Sequence, residues 1–257
     1  MKKSYIIAAI ILISYGLIMY LIFGTKIFDR QNNFLILDKN TKWEISPNWS
    51  DISESNDELY KGQKFKIYDD AKYLGEHIIK YYSNKLYIFD KNNDSIKING
   101  QLLAIGGSKK IKVSSFEKEE LNEKDLENLK EILVNKKIIN YGRLSVNQKV
   151  NFDFDGDLKK EQLYLISNLY TEEDNDGYFT IVYYVDNDKT TILIEENYTI
   201  DEQIYGSRYE LSEIINVDEN KKSNFIIEKS YFNLVDKSCY QMFQFKLGKY
   251  ISLKTCK

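Results

Sequence analysis

Four carboxylates fall at alternate positions of one short stretch. In Asn151-Phe-Asp-Phe-Asp-Gly-Asp-Leu-Lys-Lys-Glu161, the acids Asp153, Asp155, Asp157 and Glu161 take positions 1, 3, 5 and 9 of a loop that runs straight into the strand-like Gln162-Leu-Tyr-Leu-Ile166. Alternate side chains of a tightly curled backbone converge hard oxygen ligands on one point, as Ca²⁺ requires. This is the chemistry of binding, and nothing in the stretch points to catalysis. A plainer alternative stands beside it. An Asp-Gly-Asp segment between two hydrophobic runs is also a turn in which aspartates bond their own backbone amides.

The loop resembles the calcium loops of FG-GAP and VCBS-type repeats, whose pattern D-x-D-G-D-G-x-x-D/E occurs in integrin α-subunit propellers and many bacterial surface proteins; five of its six positions match. The resemblance implies a structural Ca²⁺ held by Asp153, Asp155, Asp157, the Lys159 carbonyl and Glu161. It also implies propeller-blade-like β-units in the C-terminal part of the chain. Leu158 departs from the pattern, standing where it has a second glycine. A leucine there either accepts a less favourable backbone conformation or signals a weakened site. The EF-hand pattern fits worse, because it wants glycine at position 6 and a bidentate glutamate at position 12. A fainter copy follows, in which Asn216, Asp218, Asn220 and Asn224 fall on the same ligand positions; the two copies start at 153 and 216, 63 residues apart. Asparagine offers a carbonyl oxygen without charge, so the second loop is expected to be weak or empty. Two copies are too few for a closed propeller on their own.

The elements that must position these loops are mostly strands. The chain has 257 residues, enough for one or two domains, and its 21 tyrosines and 13 phenylalanines favour β-structure. The 36 basic and 39 acidic residues are interspersed and leave a formal net charge of −3, which offers no basic face for nucleic acid. One histidine, His77, and two cysteines exclude most histidine or cysteine metal clusters and argue against a histidine-based triad. Abundant lysine, asparagine and isoleucine with a single proline match the usage of an AT-rich bacterial genome.

Lys2 and Lys3 precede an uncharged run from Tyr5 to Phe23, whose 19 residues would rise about 28 Å as a helix, close to the hydrocarbon thickness of a bilayer. Residues 5–24 are therefore expected to be a transmembrane signal-anchor, with residues 1–4 as a cytoplasmic tail and everything after it outside. Residues 25–60 read as a tether containing the strand-like Phe34-Leu-Ile-Leu37, and Trp43 and Trp49 in it read as lids on a small core. Residues 61–120 read as a small antiparallel β-domain. In it, Leu74 to Tyr82 and Lys85 to Phe89 flank Ser83-Asn84, while Ser95 to Ile98 and Gln101 to Ile105 flank Asn99-Gly100. His77, beside Glu76, reads as a structural or exposed strand residue.

Residues 121–148 are expected to hold one connecting helix and a linker. Asn122 can cap it, with Asp125 at the third helical position, and Leu126, Leu129, Ile132 and Leu133 supply an apolar stripe that ends near Lys136-Lys137. Residues 149–257 are then the FG-GAP-like β-domain. The acidic run Glu172 to Asp176 reads as a solvated loop, and Phe179 to Val185 with Thr190 to Glu195 as a hairpin around Asp186-Asn-Asp188. At the C-terminus a two-residue turn at Leu247-Gly248 places Cys239 opposite Cys256, at a non-hydrogen-bonded pair where a disulfide is geometrically allowed; a three-residue bulged loop would separate them.

The fold class expected is mainly β: an N-terminal transmembrane helix, a small antiparallel domain, one helix, and a C-terminal antiparallel domain of blade-like units. The function expected is binding or scaffolding at the bacterial cell envelope, anchored in the cell membrane by a single pass, with an envelope protein or glycan as ligand. The alternative is an extracytoplasmic hydrolase acting on cell-wall material through paired carboxylates, against which stand the absent nucleophile elbow and zinc motif. A sensor is a third reading, and its short cytoplasmic tail would require a membrane-embedded partner.

Overall fold

The computed structural model describes residues 33–37, 42–45, 63–82, 85–89, 92, 94–96, 101–107, 111–138, 144–169, 177–199, 206–217, 222–231, 238–246 and 248–253. The expected tail and membrane span at 1–24, Trp49 and the acidic run 172–176 lie outside these residues. Among the described residues no helix is long and apolar enough to cross a membrane. The described residues are mainly β, with one helix and three antiparallel sheets.

The first sheet contains β1 (Asn33–Leu37), β2 (Lys42–Ile45), β3 (Lys64–Asp69), β4 (Lys72–Tyr82), β5 (Lys85–Phe89), β6 (Ser95–Ile96) and β7 (Leu102–Gly106), in the order β2-β1-β7-β3-β4-β5-β6. The second joins β9 (Lys118–Glu120) to β10 (Val146–Phe152), β11 (Glu161–Asn168), β12 (Gly177–Asp186) and β13 (Lys189–Thr199), in the order β13-β12-β11-β10-β9. The third joins β8 (Ile111–Ser114) to β14 (Ser207–Val217), β15 (Ser223–Tyr231), β16 (Ser238–Lys246) and β17 (Lys249–Ser252), in the order β17-β16-β15-β14-β8. One plan recurs. In each sheet four consecutive strands form a meander, and a further strand from elsewhere in the chain lies antiparallel against the meander's first strand: β7 on β3, β9 on β10, β8 on β14.

The inner strands β7, β11 and β15 bury both faces, which explains runs such as Leu163-Tyr-Leu-Ile166 and Phe225-Ile-Ile227 that do not alternate with polar residues. Leu163, Leu165, Val182 and Tyr184 of the second sheet meet Tyr209, Leu211, Phe225 and Phe243 of the third. On its other face the third sheet sends Ile215, Ile226, Tyr240 and Met242 against Ile36, Tyr68, Leu103 and Ile105 of the first. The outer face of the second sheet, with Tyr164, Ile166, Phe179, Ile181 and Tyr183, is covered by Leu129 and Leu133 of the helix α1 (Glu123–Asn135). The layers therefore run α1, second sheet, third sheet, first sheet. Across the 63-residue spacing Leu163 corresponds to Ile226. Leu163 looks from the second sheet into the third, and Ile226 from the third into the first. The sheets stack face to back in one sense.

The helix begins as its sequence implies. Asn122 Oδ1 accepts from the Asp125 N–H at 3.0 Å and Asp125 Oδ2 accepts from the Asn122 N–H at 3.0 Å, a reciprocal capping box. It ends with Lys137 at φ 63°, where the Lys137 N–H donates to the Val134 carbonyl and the Ile138 N–H to the Leu133 carbonyl, each at 2.9 Å. That is a Schellman closure made without glycine. Leu126, expected in the apolar stripe, is 43 % exposed, because the buried face is centred on Leu129 and Leu133.

Two hairpins form where expected: β4 and β5 pair from Tyr82↔Lys85, and β12 and β13 from Asp186↔Lys189, with Asn187 and Asp188 both at positive φ. Residues 97–100, with the turn expected at Asn99-Gly100, lie outside the described residues, and among the described residues β6 and β7 do not pair with each other. Between β1 and β3, all five residues of β7 are buried, so β7 takes the interior of the sheet while β6 pairs with β5. A strand apolar on both faces is more stable between two neighbours than at an edge, and this outweighs the turn propensity of Asn-Gly. Strand pairing also crosses residues 121–148, since β8 enters the third sheet and β9 pairs with β10. Part of the expected tether is likewise structural, with β1 on β7 and Ile36 fully buried.

Candidate functional site

The loop between β10 and β11 hangs from the core by Phe154. Its ring is fully buried and meets those of Phe152, Tyr184, Phe225 and Tyr250 edge to face, with centroids 5.2, 5.8, 5.6 and 6.3 Å away. Its carbonyl accepts from the Ser223 N–H at 2.6 Å, and the Tyr250 hydroxyl donates to the Ser223 carbonyl at 2.9 Å. The loop is thereby fastened to the third sheet at the start of β15 as well as to its own hairpin.

Around that anchor the backbone curls on its own side chains. Asp153 accepts from the Gly156 N–H at 2.7 Å and the Leu158 N–H at 3.1 Å, Asp155 from the Asp157 N–H at 3.0 Å, and Asp157 from the Lys159 N–H at 2.8 Å. Glu161 Oε2 reaches back to accept from the N–H groups of Phe154 at 2.7 Å and Asp155 at 3.3 Å. Gly156 and Leu158 lie at φ 78° and 73°, so the leucine does adopt the left-handed conformation for which the glycine of the pattern is suited. One ligand oxygen from each of Asp153, Asp155, Asp157 and Glu161 can be chosen so that all lie within 4.8 Å of one another. The self-bonded turn and the carboxylate cluster are the same object.

Glu161 is buried, unlike Asp157, which is exposed. Burial, with the charges of Asp155 and Asp153 beside it, pushes the Glu161 carboxyl up against the opposing pull of the two backbone N–H donors. Tyr184 lies under the same residues. Its hydroxyl makes no hydrogen bond of ordinary geometry, and burial followed by the charges of Glu161, Asp186 and Asp155 raises its pKa. Lys159, expected to contribute only its carbonyl, is exposed, with Nζ 3.9 Å from Asp157 Oδ2.

Of the second loop, Asp218 and Asn220 lie outside the described residues. Asn216 and Asn224 stand at the ends of β14 and β15, where Asn216 pairs with Ser223 and Ile215 with Asn224. Cys239 is disulfide-bonded, and the other of the chain's two cysteines, Cys256, lies outside the described residues. The β16–β17 register runs Lys246↔Lys249 to Phe243↔Ser252, the two-residue-turn register. His77 Nε2 sits 3.3 Å from the Leu74 carbonyl of its own strand, a local structural contact.

Sequence reading missed a second polar centre. Asp125, legible only as a cap, also accepts from Lys149 Nζ at 2.7 Å and from the Tyr164 hydroxyl at 2.7 Å, all three side chains being buried. Burial alone would raise the Asp125 carboxyl, but the bonds from Lys149, the Asn122 N–H and Tyr164 hold it below its ordinary range. No local signal marks this triad, because its members come from α1, β10 and β11. No protein-family model, curated protein or solved structure matches the chain, so the site is read from its own residues and geometry.

Proposed function

We propose that the chain is a membrane-anchored, extracytoplasmic binding or scaffold protein of the bacterial cell envelope, in which the loop Asp153 to Glu161 binds a structural Ca²⁺ through Asp153, Asp155, Asp157, the Lys159 carbonyl and Glu161. The observation that carries the ion is the convergence of four carboxylate oxygens within 4.8 Å. Two ligands of one Ca²⁺ lie at most about 5 Å apart, twice the metal–oxygen distance, whereas Mg²⁺ allows only about 4.2 Å. A set of this span is compatible with one Ca²⁺ among the four oxygens. The resemblance to FG-GAP-type loops, and the repeated meander that stacks face to back, support the same reading. Its anchor is supported by the uncharged run at 5–23 behind two lysines. An ion here would neutralise carboxylates that otherwise repel, tying the loop to the second and third sheets together.

One experiment tests both halves. The full chain is recovered from the membrane fraction in detergent and titrated calorimetrically with Ca²⁺ beside the Asp155→Ala variant. Saturable binding and a raised melting temperature, both absent in the variant, are expected, with Mg²⁺ binding more weakly. A chain found in the soluble fraction would remove the anchor, and no heat at millimolar Ca²⁺ would reduce the loop to a self-bonded turn.

A further inference from the structure

The end of the second and third sheets that carries the loop also carries an apolar tip and a set of unpaired cations. Leu158 is 92 % exposed, whereas among the described residues no other large apolar side chain exceeds the 59 % of Val134. It touches almost nothing, and its backbone is held at φ 73°, a conformation unfavourable to leucine. Scattered exposed leucines are ordinary, but this one meets both costs with no contact in the chain to offset them. Lysines surround it. Lys159 and Lys160 follow it in the loop. Ser223, whose N–H donates to the Phe154 carbonyl, brings Lys222 beside the loop, and Lys222 Nζ lies 3.8 Å from the centre of the Phe245 ring. That ring is 5.1 Å from the ring of Tyr250, which in turn meets Phe154. Lys246, next after Phe245, and Lys249, next before Tyr250, therefore belong to the same end.

All five lysines are exposed, and only Lys159 has a carboxylate within ion-pair distance, that of Asp157 at 3.9 Å. Lys246 and Lys249 stand directly opposite one another across the β16–β17 hairpin, where like charges repel. The acids nearby are otherwise engaged. The four carboxylates of the loop accept from its own N–H groups, and the adjoining β12–β13 turn sets Asp186 and Asp188 beside Lys189. A lipid interface fits both features, because an apolar tip enters hydrocarbon while the lysines around it reach phosphate. A soluble acidic partner would satisfy the lysines and leave Leu158 in water. The uncharged run at 5–23 is a separate reason to expect a bilayer close by. We propose that this end of the molecule docks on an anionic phospholipid surface, with Leu158 inserted at its interface and Lys159, Lys160, Lys222, Lys246 and Lys249 on the headgroups. Docking does not require the ion, although Ca²⁺ in the loop would offset the carboxylates and strengthen it.

The test uses the full chain, added in detergent to lipid nanodiscs and then freed of detergent, so that docking is read whether or not residues 5–23 are inserted. Amide resonances of Gly156 and Lys160 are followed as nitroxide-labelled lipid is introduced. The discs are phosphatidylcholine alone or with phosphatidylglycerol, first in EDTA and then in Ca²⁺. Both amides are expected to broaden when phosphatidylglycerol is present and to recover at high salt. Leu158→Asn, whose side chain suits positive φ, and the double variant Lys246→Gln/Lys249→Gln are each expected to lower the docked-to-free ratio about tenfold. Neither touches a buried group, and an unchanged melting temperature shows that each is folded. If the loop takes no ion, EDTA and Ca²⁺ give equal broadening and the docking stands. The proposal is overturned if neither amide broadens in either condition, if broadening is as strong without phosphatidylglycerol, or if the lysine variant docks as wild type does. Docking that Leu158→Asn retains in full would also overturn it, and would assign the lysines to a soluble acidic partner.

Discussion

Leu158 concentrates the conformational cost of the loop between β10 and β11 in one residue. It sits at φ 73° and is 92 % exposed, so its side chain contributes no packing to offset the left-handed backbone. That conformation costs a non-glycine residue roughly 1–2 kcal/mol, while glycine loses about 0.5–1 kcal/mol through the entropy of the unfolded chain. Leu158→Gly is therefore expected to leave stability unchanged or raise it by up to about 1 kcal/mol in urea denaturation without metal, and to tighten Ca²⁺ binding by presetting the loop. A loss above about 1 kcal/mol would show that residue 158 does not occupy this conformation. The carboxylates of this loop were legible in the sequence because a nine-position spacing is local information. Tyr184 and Tyr250 beneath it were not, since nothing in β12 or β17 read alone says which loop their hydroxyls lie under. The dual service of Asp125 was hidden for the same reason. A cap is visible within three residues, whereas the Lys149 and Tyr164 partners arrive only when β10 and β11 pass under α1.

At the scale of elements, α1 is moored to the second sheet by an apolar stripe and by one buried ion pair. Lys149 Nζ also lies 3.9 Å from the half-exposed Glu119, but its close contact is with Asp125. Removing the lysine would leave a buried carboxylate facing only the Tyr164 hydroxyl and the Asn122 N–H. Lys149→Met is expected to destabilise by about 3 kcal/mol, and adding Asp125→Asn, which keeps a capping side chain while removing the charge, to recover most of that loss. Denaturant unfolding of wild type, single and double variants measures both. A single variant as stable as wild type would mean that the pair does not secure the helix. The helix's start was readable from Asn122 and Asp125, yet its buried face was misjudged by one residue, because Leu126 satisfies the spacing without meeting the sheet. The strands show the same division. Hairpins with consecutive partners were legible from their turns, whereas the position of β7 was not, since its burial on both faces is a property of the assembled sheet.

At the scale of the whole molecule, what the sequence conceals is the order of the layers. The third sheet lies between the other two although its meander comes last in the chain, and its fifth strand, β8, comes from before α1. Periodicity identifies a strand with two apolar faces but does not say which sheet meets each face. A single irregularity exposes this arrangement to experiment. The bulge between Leu211 and Glu213 shifts the alternation of β14, so that Tyr209, Leu211 and Ile214 face the second sheet while Glu213 and Ile215 face the first. Glu213 is thus buried toward the turn of β3 and β4. Burial, then the charges of Asp70 and Asp69, push its carboxyl up to about 7 from an ordinary 4.5. Below pH 4.5 the group is protonated in both folded and unfolded chains. Between 4.5 and 7 the folded chain holds a proton that the unfolded chain has released, so stability falls as pH rises through this window, then levels above it. A shift of this size corresponds to about 3 kcal/mol across the window. Glu213→Gln, neutral at every pH, is expected to remove this fall and to exceed wild-type stability at pH near 8, while matching it near pH 4.5. Urea denaturation across pH 4.5–8 reads the slope directly. A variant that retains the full wild-type slope would place Glu213 in solvent rather than between sheets, and with it would go the face-to-back order of the third sheet on the first.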